Sequence, residues 1–283
     1  MKKTLIAILA ALSLVGCGNQ NQQKPTEEKC SQRHTTKSLV LYYSQTHVTE
    51  KVAKLLAEAT SADLDSIVPV NPYNGSFTET IERCKQEMER DEKPQLIKPM
   101  NVDVAEYDTV YLGYPIWFGV AARPLEAWFM RYDLRGKVVI PFCTFGSGGL
   151  ETSVAKLRRM APSVNILDGF GIRSVRIDKA EEEINEFLIR SGIKSGTVEE
   201  IPPFGMKRSL NDEEKSIFDA ACGDYIFPLG TPVLVSSRTV KKGTEYCYVT
   251  DCKDQDGKPA RSEVYVIVSN EEGVGPEFTK VVR

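Results

Sequence analysis

Histidine is scarce in this chain, with only His34 and His47 among 283 residues. A zinc site of cysteine and histidine needs several ligands of this kind, and a Ser-His-Asp triad needs a histidine base with two partners. The sequence offers almost no material for either, and it therefore argues against both classes of site.

A surplus of positive charge is also missing. The chain carries 36 Lys and Arg against 39 Asp and Glu, which gives a formal net charge of -3 at pH 7. Proteins that bind nucleic acid neutralise phosphates with clustered basic side chains. We therefore expect no nucleic-acid partner.

The apolar segment near the start of the sequence is short. Leu5–Leu12 follows the basic start Met1-Lys2-Lys3 and falls well below the ~20 residues that a membrane-spanning helix needs. This pattern predicts a secretory signal, with an ordinary cleaved signal as one alternative. Leu14-Val15-Gly16-Cys17 resembles the lipobox of bacterial lipoproteins, which implies cleavage before Cys17 and a lipid on its sulfur.

The lipobox sets the predicted location. We expect a protein of the bacterial cell envelope, anchored to the membrane through the lipid on Cys17, at the periplasmic side or at the outer membrane. Residues 1–17 are then the signal and lipobox, and the polar segment 18–37 is a flexible tether.

Six further cysteines leave the disulfide pattern open. Cys247 and Cys252 are the pair most easily bridged in an oxidising compartment, and the same spacing fits two unrelated buried thiols. The full set is Cys30, Cys84, Cys143, Cys222, Cys247 and Cys252.

Strand-length and helix-length patterns alternate across residues 38–192. The predicted strands are Leu39–Tyr43, Leu64–Val70, Thr109–Gly113, Val138–Phe142 and Asn165–Phe170. The predicted helices are Thr49–Ala59, Phe77–Arg90, Pro124–Arg131, Leu150–Met160 and Ala180–Ser191. This alternation predicts an α/β domain with a doubly wound, five-stranded parallel sheet. Ligands of such sheets bind beyond the carboxyl ends of the strands.

The pattern changes after residue 192. Residues 193–209 are rich in glycine, proline and serine and are predicted to be a linker. Residues 210–283 predict a small α+β domain with a helix that Asn211 caps and that ends at Cys222. Its predicted strands are Pro232–Val240, Thr244–Thr250, Glu263–Val268 and Phe278–Val282.

The loop after the first strand has the chemistry of a phosphate site. Ser44, Thr46 and Thr49 supply hydroxyls just where a helix begins, and helix N-termini present unpaired N–H groups to anions. No lysine or arginine lies between Leu39 and Glu50, which excludes a Walker-type nucleotide site. The loop predicts a phosphate pocket formed by hydroxyls and the helix dipole.

Two further loops follow the third and fourth strands. One is aromatic, Gly113–Gly119, and the other is rich in glycine, Cys143–Gly149. Aromatic rings next to accessible backbone amides suit a flat heteroaromatic cofactor. The alternative interpretation is that Trp117 and Phe118 are core residues.

These three loops, in this order, resemble those of the flavodoxin-like family. The resemblance covers roughly residues 38–189 and implies noncovalently bound FMN. The resemblance implies that the phosphate is held by the hydroxyls of Ser44, Thr46 and Thr49 and by the amides of 45–48. It also implies that Trp117 or Phe145 stacks on the flavin ring. The cofactor-binding residues implied are Ser44, Gln45, Thr46, His47, Val48, Thr49, Pro115, Ile116, Trp117, Phe118, Gly119, Thr144, Phe145, Gly146 and Gly148.

His47 departs from the family pattern, which has glycine at this position of the phosphate loop. A non-glycine residue is costly where φ is positive, although histidine tolerates this conformation better than most residues. Either FMN binds with changed affinity, with His47 as a cation near the phosphate, or the domain has lost the cofactor and kept the scaffold.

The resemblance implies electron transfer or flavin-dependent reduction, with a redox partner protein or a small-molecule acceptor. Among the loop residues, Tyr114 is the nearest candidate acid or base, and packing is its alternative role. A cofactor-free binding lipoprotein, built on a degenerate flavodoxin scaffold, is the alternative function.

The C-terminal domain weakly resembles the sheet of cystatins. That family's inhibitory hairpin carries Gln-x-Val-x-Gly, whereas alignment on Gly243 places Thr239 and Lys241 at the Gln and Val positions. An accessory binding or spacer domain is therefore the expected role.

Overall fold

A computed structural model describes residues 36–90, 92, 99–254 and 257–283, apart from the side chain of Phe77. Thr36–Arg283 form one compact unit. The predictions on the signal segment, on Cys17 and on Cys30 lie outside the described residues.

The larger sheet is parallel, with the strand order β2-β1-β3-β5 followed by β6 and β7, which both pair with β5. A short strand, β4, pairs antiparallel with the end of β3. This arrangement confirms the predicted parallel α/β sheet. The strands are β1 (Ser38–Tyr42), β2 (Asp63–Ser66), β3 (Thr109–Trp117), β4 (Val120–Ala121), β5 (Val138–Phe145), β6 (Asn165–Ile166) and β7 (Phe170–Arg173).

Five α-helices of the described ranges accompany this sheet, and hydrophobic cores lie on both of its faces. They are α1 (Val48–Thr60), α2 (Phe77–Glu89), α3 (Arg123–Phe129), α4 (Leu150–Met160) and α5 (Ala180–Arg190). Leu41 of β1 belongs to the core that includes Leu125 of α3 and Leu157 of α4. Val40 belongs to the core that includes Leu56 of α1 and Ile184 of α5. Adjacent residues of one strand therefore pack against helices on opposite faces.

Several strand bounds differ from the prediction at the edge where ligands bind. β3 continues past Gly113 to Trp117, and β5 continues past Phe142 to Phe145, since residues 109–115 and 138–144 pair along their whole length. β2 ends at Ser66, four residues before the predicted end at Val70. The predicted strand Asn165–Phe170 is two strands, β6 and β7, separated at 167–169.

The C-terminal part forms a separate antiparallel sheet, as predicted, and its strands have the order β11-β10-β9-β8. One helix packs on it through a core that contains Phe218, Tyr248, Val264 and Phe278. The side chain of Asn211 accepts the Glu214 N–H at the start of this helix. The elements are α6 (Asp212–Cys222), β8 (Thr231–Val240), β9 (Gly243–Lys253), β10 (Pro259–Ser269) and β11 (Glu277–Val282).

The segment predicted to be a linker lies along β8. Arg208 and Val235 exchange two backbone hydrogen bonds of 2.9 and 2.8 Å, and the Gly205 N–H donates to Ser237 O at 3.0 Å. The ring of Phe204 packs edge-on against Tyr265, with 5.8 Å between the ring centroids. Part of this segment is thus paired with the C-terminal sheet.

The cysteines of the described ranges are free thiols. Cys247 and Cys252 both lie on β9, five positions apart, so their side chains point to opposite faces of the strand. This geometry separates the pair that the sequence made the easiest to bridge.

Candidate functional site

The phosphate end of the candidate site is the turn between β1 and α1. His47 is the N-cap residue of α1 and adopts a left-handed conformation, with φ 62° and ψ 1°. In the described part of the chain, the His47 side chain forms no capping hydrogen bond with the N–H groups of the first turn. The helix therefore begins with backbone donors that no capping side chain satisfies, as an anion site requires.

The side-chain oxygen of Ser44 is the atom of this turn that most directly indicates a ligand. Its Oγ is buried, and no residue in the described ranges forms a hydrogen bond with it. A buried hydroxyl without a partner costs about 1–3 kcal/mol, so native proteins rarely keep one. The unpaired Oγ fits a site whose partner is a bound ligand.

The other side chains of the turn are divided between solvent and the protein. Thr46 is exposed and Val48 is partly buried. The Gln45 Nε2 donates to Thr80 Oγ1 of α2 at 2.7 Å, which anchors the turn. Thr49 is buried, and its Oγ1 lies 2.7 Å from Thr144 Oγ1 on β5. This last bond joins the phosphate turn to the strand that leads into the glycine loop.

The charge on Glu50 at the first turn of α1 is compensated. Its carboxylate oxygens lie 2.6 Å from Lys54 Nζ and 2.6 Å from His47 Nδ1. Hydrogen bonds from Lys54 and then His47 hold the pKa of Glu50 below its ordinary value. A carboxylate paired in this way repels a nearby phosphate less than a bare one would.

The aromatic segment forms a hairpin and not the exposed loop expected from sequence. Ile116 pairs with Ala121 and Trp117 with Val120, so Phe118 and Gly119 form the two-residue turn. Both have positive φ, 51° and 79°, as a type I′ turn requires. Because Phe118 is a bulky residue, its positive φ costs energy. Phe118 is exposed, whereas Pro115, Ile116 and Trp117 are partly buried.

Trp117 belongs to an aromatic cluster. Its ring lies edge-on to Tyr43, with 5.7 Å between centroids, and to Tyr73, at 4.9 Å. These contacts join the hairpin to the residue that follows β1. Part of the Trp117 ring is therefore buried, in agreement with the alternative that Trp117 is a core residue. Phe118 presents the more exposed ring of the hairpin.

The glycine loop lies against the hairpin. Gly149 is the N-cap residue of α4, with φ 112°. A Cβ on it would lie 2.8 Å from Ile116 Cγ2 and 3.1 Å from Gly119 O, so only glycine fits here. Thus the two loops of the predicted ring site meet.

Thr144 and Phe145 lead into the glycine loop and are buried. The Phe145 ring lies beside Gly171 of β7, where an added Cβ would come within 2.6 Å of its Cε1. The phenylalanine predicted as the alternative stacking ring is thus packed within the sheet. Gly146, the next residue, is exposed.

Tyr114 has the packing role that the sequence left as its alternative. It is fully buried on β3, and its hydroxyl lies 3.0 Å from Ser153 Oγ. Burial raises the pKa of Tyr114 far above its ordinary value. This phenol is therefore poorly suited to act as an acid at neutral pH.

A small cleft of about 30 Å³ lies beside the hairpin. Trp117 and Phe118 line it together with Glu126, whose buried carboxylate pairs with Lys156.

Sequence reasoning missed the C-terminal contribution to this edge of the sheet. Gly148 forms a bridge with Val281 of β11, and Arg173 at the end of β7 contacts both the glycine loop and β11. Arg173 is the last residue of a parallel strand, at the carboxyl end where ligands bind, and that position is the signal that could have identified it.

The described ranges contain neither a membrane-spanning helix nor a metal-binding cluster. No helix there is both long and apolar enough to cross a membrane. No cluster of three or more His, Cys, Asp or Glu side chains in those ranges is suited to hold a metal ion.

Comparison with solved structures finds candidate flavoproteins. One from Bacteroides uniformis is 31% identical, with coverage of 53% of this chain and 98% of that chain and a TM-score of 0.48. One from Bacteroides eggerthii is 29% identical, with coverage of 56% and 99% and a TM-score of 0.49. A flavoprotein from Lactobacillus acidophilus in complex with FMN is 23% identical, with coverage of 51% and 97% and a TM-score of 0.42.

Among curated proteins, no match was found. A family model described as flavodoxin matches residues 37–188, which is more than half of the chain. The match includes all three loops at the carboxyl edge of the parallel sheet and ends before the antiparallel sheet begins. The chain belongs to the flavodoxin family.

Proposed function

We propose that this protein binds FMN noncovalently and works in electron transfer or flavin-dependent reduction. The observation that carries the proposal is the buried, unpaired Ser44 Oγ beside the uncapped start of α1. Membership of the flavodoxin family supports the same cofactor.

The residues of the phosphate turn fit a phosphate dianion. The hydroxyls of Ser44 and Thr46 would donate hydrogen bonds to the phosphate. The amides of 45–48, at the start of the helix, would donate further hydrogen bonds to it. Thr49 keeps a role here, because a hydroxyl that accepts a hydrogen bond from Thr144 can still donate one of its own.

FMN supplies one- and two-electron chemistry when it is bound, and the protein supplies binding and orientation. The β3–β4 hairpin and the glycine loop would enclose the ring. Neither places a free acid or base there, since Tyr114 is buried and bonded to Ser153. Electron transfer to a redox partner protein or to a small acceptor is therefore favoured over proton chemistry on a specific substrate.

Cofactor-free binding is the second candidate function. A histidine with positive φ at the family's glycine position favours it, as does the cover that β11 places over Gly148. In this case the same scaffold would recognise a partner at the membrane surface.

The first experiment is an FMN titration of the full-length chain in mild detergent, followed by absorbance. We expect flavin bands and saturable binding. Absence of binding at high micromolar FMN, by a chain shown to be folded, would contradict the proposal and favour the second candidate.

Ser44→Ala gives this experiment a sharper readout. We expect at least about tenfold weaker FMN binding, because a hydrogen bond to a charged group is worth about 1.5–3 kcal/mol. The flavin-free variant should be no less stable than wild type, since it loses a polar atom that has no partner. Ser216→Ala is the matched control, because the Ser216 hydroxyl is exposed and donates to Asp212 O on α6.

We also propose that a lipid on Cys17 anchors the protein in the bacterial cell envelope. Cys17→Ser should leave the precursor uncleaved and without lipid label. Normal labelling of this variant would exclude the lipobox.

A further inference from the structure

Arg173 joins the glycine loop to the C-terminal sheet. Its Nε donates to Gly146 O at 2.8 Å, and its Nη1 donates to Phe278 O at 2.5 Å. The guanidinium also lies over the Phe278 ring, 4.2 Å from the ring centroid. One planar group thus bridges two backbone carbonyls that are 132 positions apart in the sequence.

Strand β11 makes a direct backbone contact with the same loop. The Val281 N–H donates to Ser147 O at 2.6 Å, and Gly148 forms an isolated parallel bridge with Val281. A Cβ on Gly148 would lie 2.0 Å from Val281 O. The contact is therefore close enough to require glycine at position 148.

The segment after α6 adds an aromatic residue to this junction. The Tyr225 ring packs edge-on against Phe278, with 5.4 Å between centroids, and lies 5.6 Å from the Arg173 guanidinium carbon. Its hydroxyl would be 3.3 Å from a Cβ placed on Gly146. A phenol from the C-terminal sheet domain thus reaches the exposed glycine of the predicted ring loop.

Ion pairs flank the junction. Glu277 on β11 pairs with Arg176 at 2.8 Å and with Lys179 at 3.1 Å, and Lys280 pairs with Glu151 of α4 at 2.8 Å. These contacts join β11 to the segment after β7 and to the first turn of α4. The junction thus combines backbone pairing, aromatic packing and opposite charges.

We propose that the C-terminal domain is part of the flavin site, with Arg173 as the positioning residue that holds the glycine loop and Tyr225 as a group on the rim of the ring pocket. This inference rests on the proposed function. The amides of 146–149 would bind the edge of the ring, and their position depends on β11. Loss of the bridge would free the loop and weaken the binding of FMN.

The test compares Arg173→Lys and Arg173→Gln with wild type in the full-length chain. Lysine keeps the charge but cannot span two carbonyls, so we expect both variants to bind FMN about tenfold more weakly. In the flavin-free proteins, the amides of 147–149 should exchange hydrogen at least about tenfold faster. Protected β1 amides would show that each variant is folded.

Arg158→Lys is the matched control. Arg158 also donates its Nε to a backbone carbonyl, Ile166 O at 3.0 Å, but it lies near the end of α4, away from the glycine loop. We expect FMN affinity and loop exchange to remain as in wild type.

Tyr225→Phe keeps the packing on Arg173 and removes only the hydroxyl, and we expect about threefold weaker binding of FMN.

The outcomes separate this inference from the proposed function. If wild type binds FMN and both Arg173 variants have the same FMN affinity and the same amide exchange as wild type, this inference is overturned and the proposed function stands. Tighter binding by these variants would also overturn it, because the domain would then obstruct the site. If wild type binds no FMN, the proposed function fails, and exchange still reports whether Arg173 holds the loop.

Discussion

The two ends of the candidate site are built in different ways. The phosphate end is one continuous turn, 44–49, whose shape depends on the start of α1. The ring end combines a hairpin of β3 and β4, the loop before α4 and strand β11 of another sheet. The first is local in sequence and the second is tertiary, so they should respond differently to substitution.

The largest expected effect is at the ring end. Gly148→Ala should lower the free energy of unfolding by about 3 kcal/mol, because the new Cβ would lie 2.0 Å from the backbone oxygen of Val281 and both backbones would have to move. Urea unfolding measures this change. Gly275→Ala is the control, since no atom lies within 4 Å of its Cβ position. Equal stability of the two variants would show that β11 does not rest on the loop.

A medium effect is expected where the two ends are joined. Thr49→Val and Thr144→Val should each lower the free energy of unfolding by about 2 kcal/mol, because each leaves a buried hydroxyl without its 2.7 Å partner. The double variant should be more stable than either single one, since both polar groups are then gone. Additive losses in this double-mutant cycle would mean that the two hydroxyls are independent.

The smallest effect is expected at the phosphate end, with the opposite sign. His47→Gly should raise the free energy of unfolding by about 0.5–1 kcal/mol, because glycine adopts φ 62° without the strain of a side chain. His47→Ala should show no such gain. We expect the glycine variant to bind FMN at least as tightly as wild type.

Ser61→Gly is the control for this change, because Ser61 has φ 53° at the other end of α1. It should give a similar gain in stability without any change in FMN affinity. A gain for His47→Ala equal to that for His47→Gly would show that the imidazole, and not the backbone conformation, is the source of the strain.

The same contrast explains what the sequence could predict. Leu150–Met160 was predicted with the bounds that the structure shows, because its apolar spacing and the preceding glycines are local signals. The parallel sheet followed from the alternation of strands and helices. The extension of β3 to Trp117 was missed because proline and glycine usually interrupt strands, whereas here residues 109–115 pair with β5 throughout.

The site was predictable to the same degree. The turn at 44–49 is predicted as a phosphate site from its hydroxyls and the helix that follows, and in the structure it leads from β1 into α1. The hairpin turn was missed because phenylalanine is rare at positive φ, and Phe118 carries none of the usual turn signals. The contacts of Arg173 and Tyr225 join segments far apart in the chain, and no local pattern encodes such contacts.

The bridge between Gly148 and Val281 also has a consequence in time. These residues are 133 positions apart, and a ribosome that adds 5–20 residues per second needs roughly 7–27 s to travel from one to the other. During this interval the parallel sheet can form while its glycine loop has no strand to rest on. Newly made protein would therefore pass through a stage in which the loop is open to solvent, to chaperones and to a ligand that arrives early.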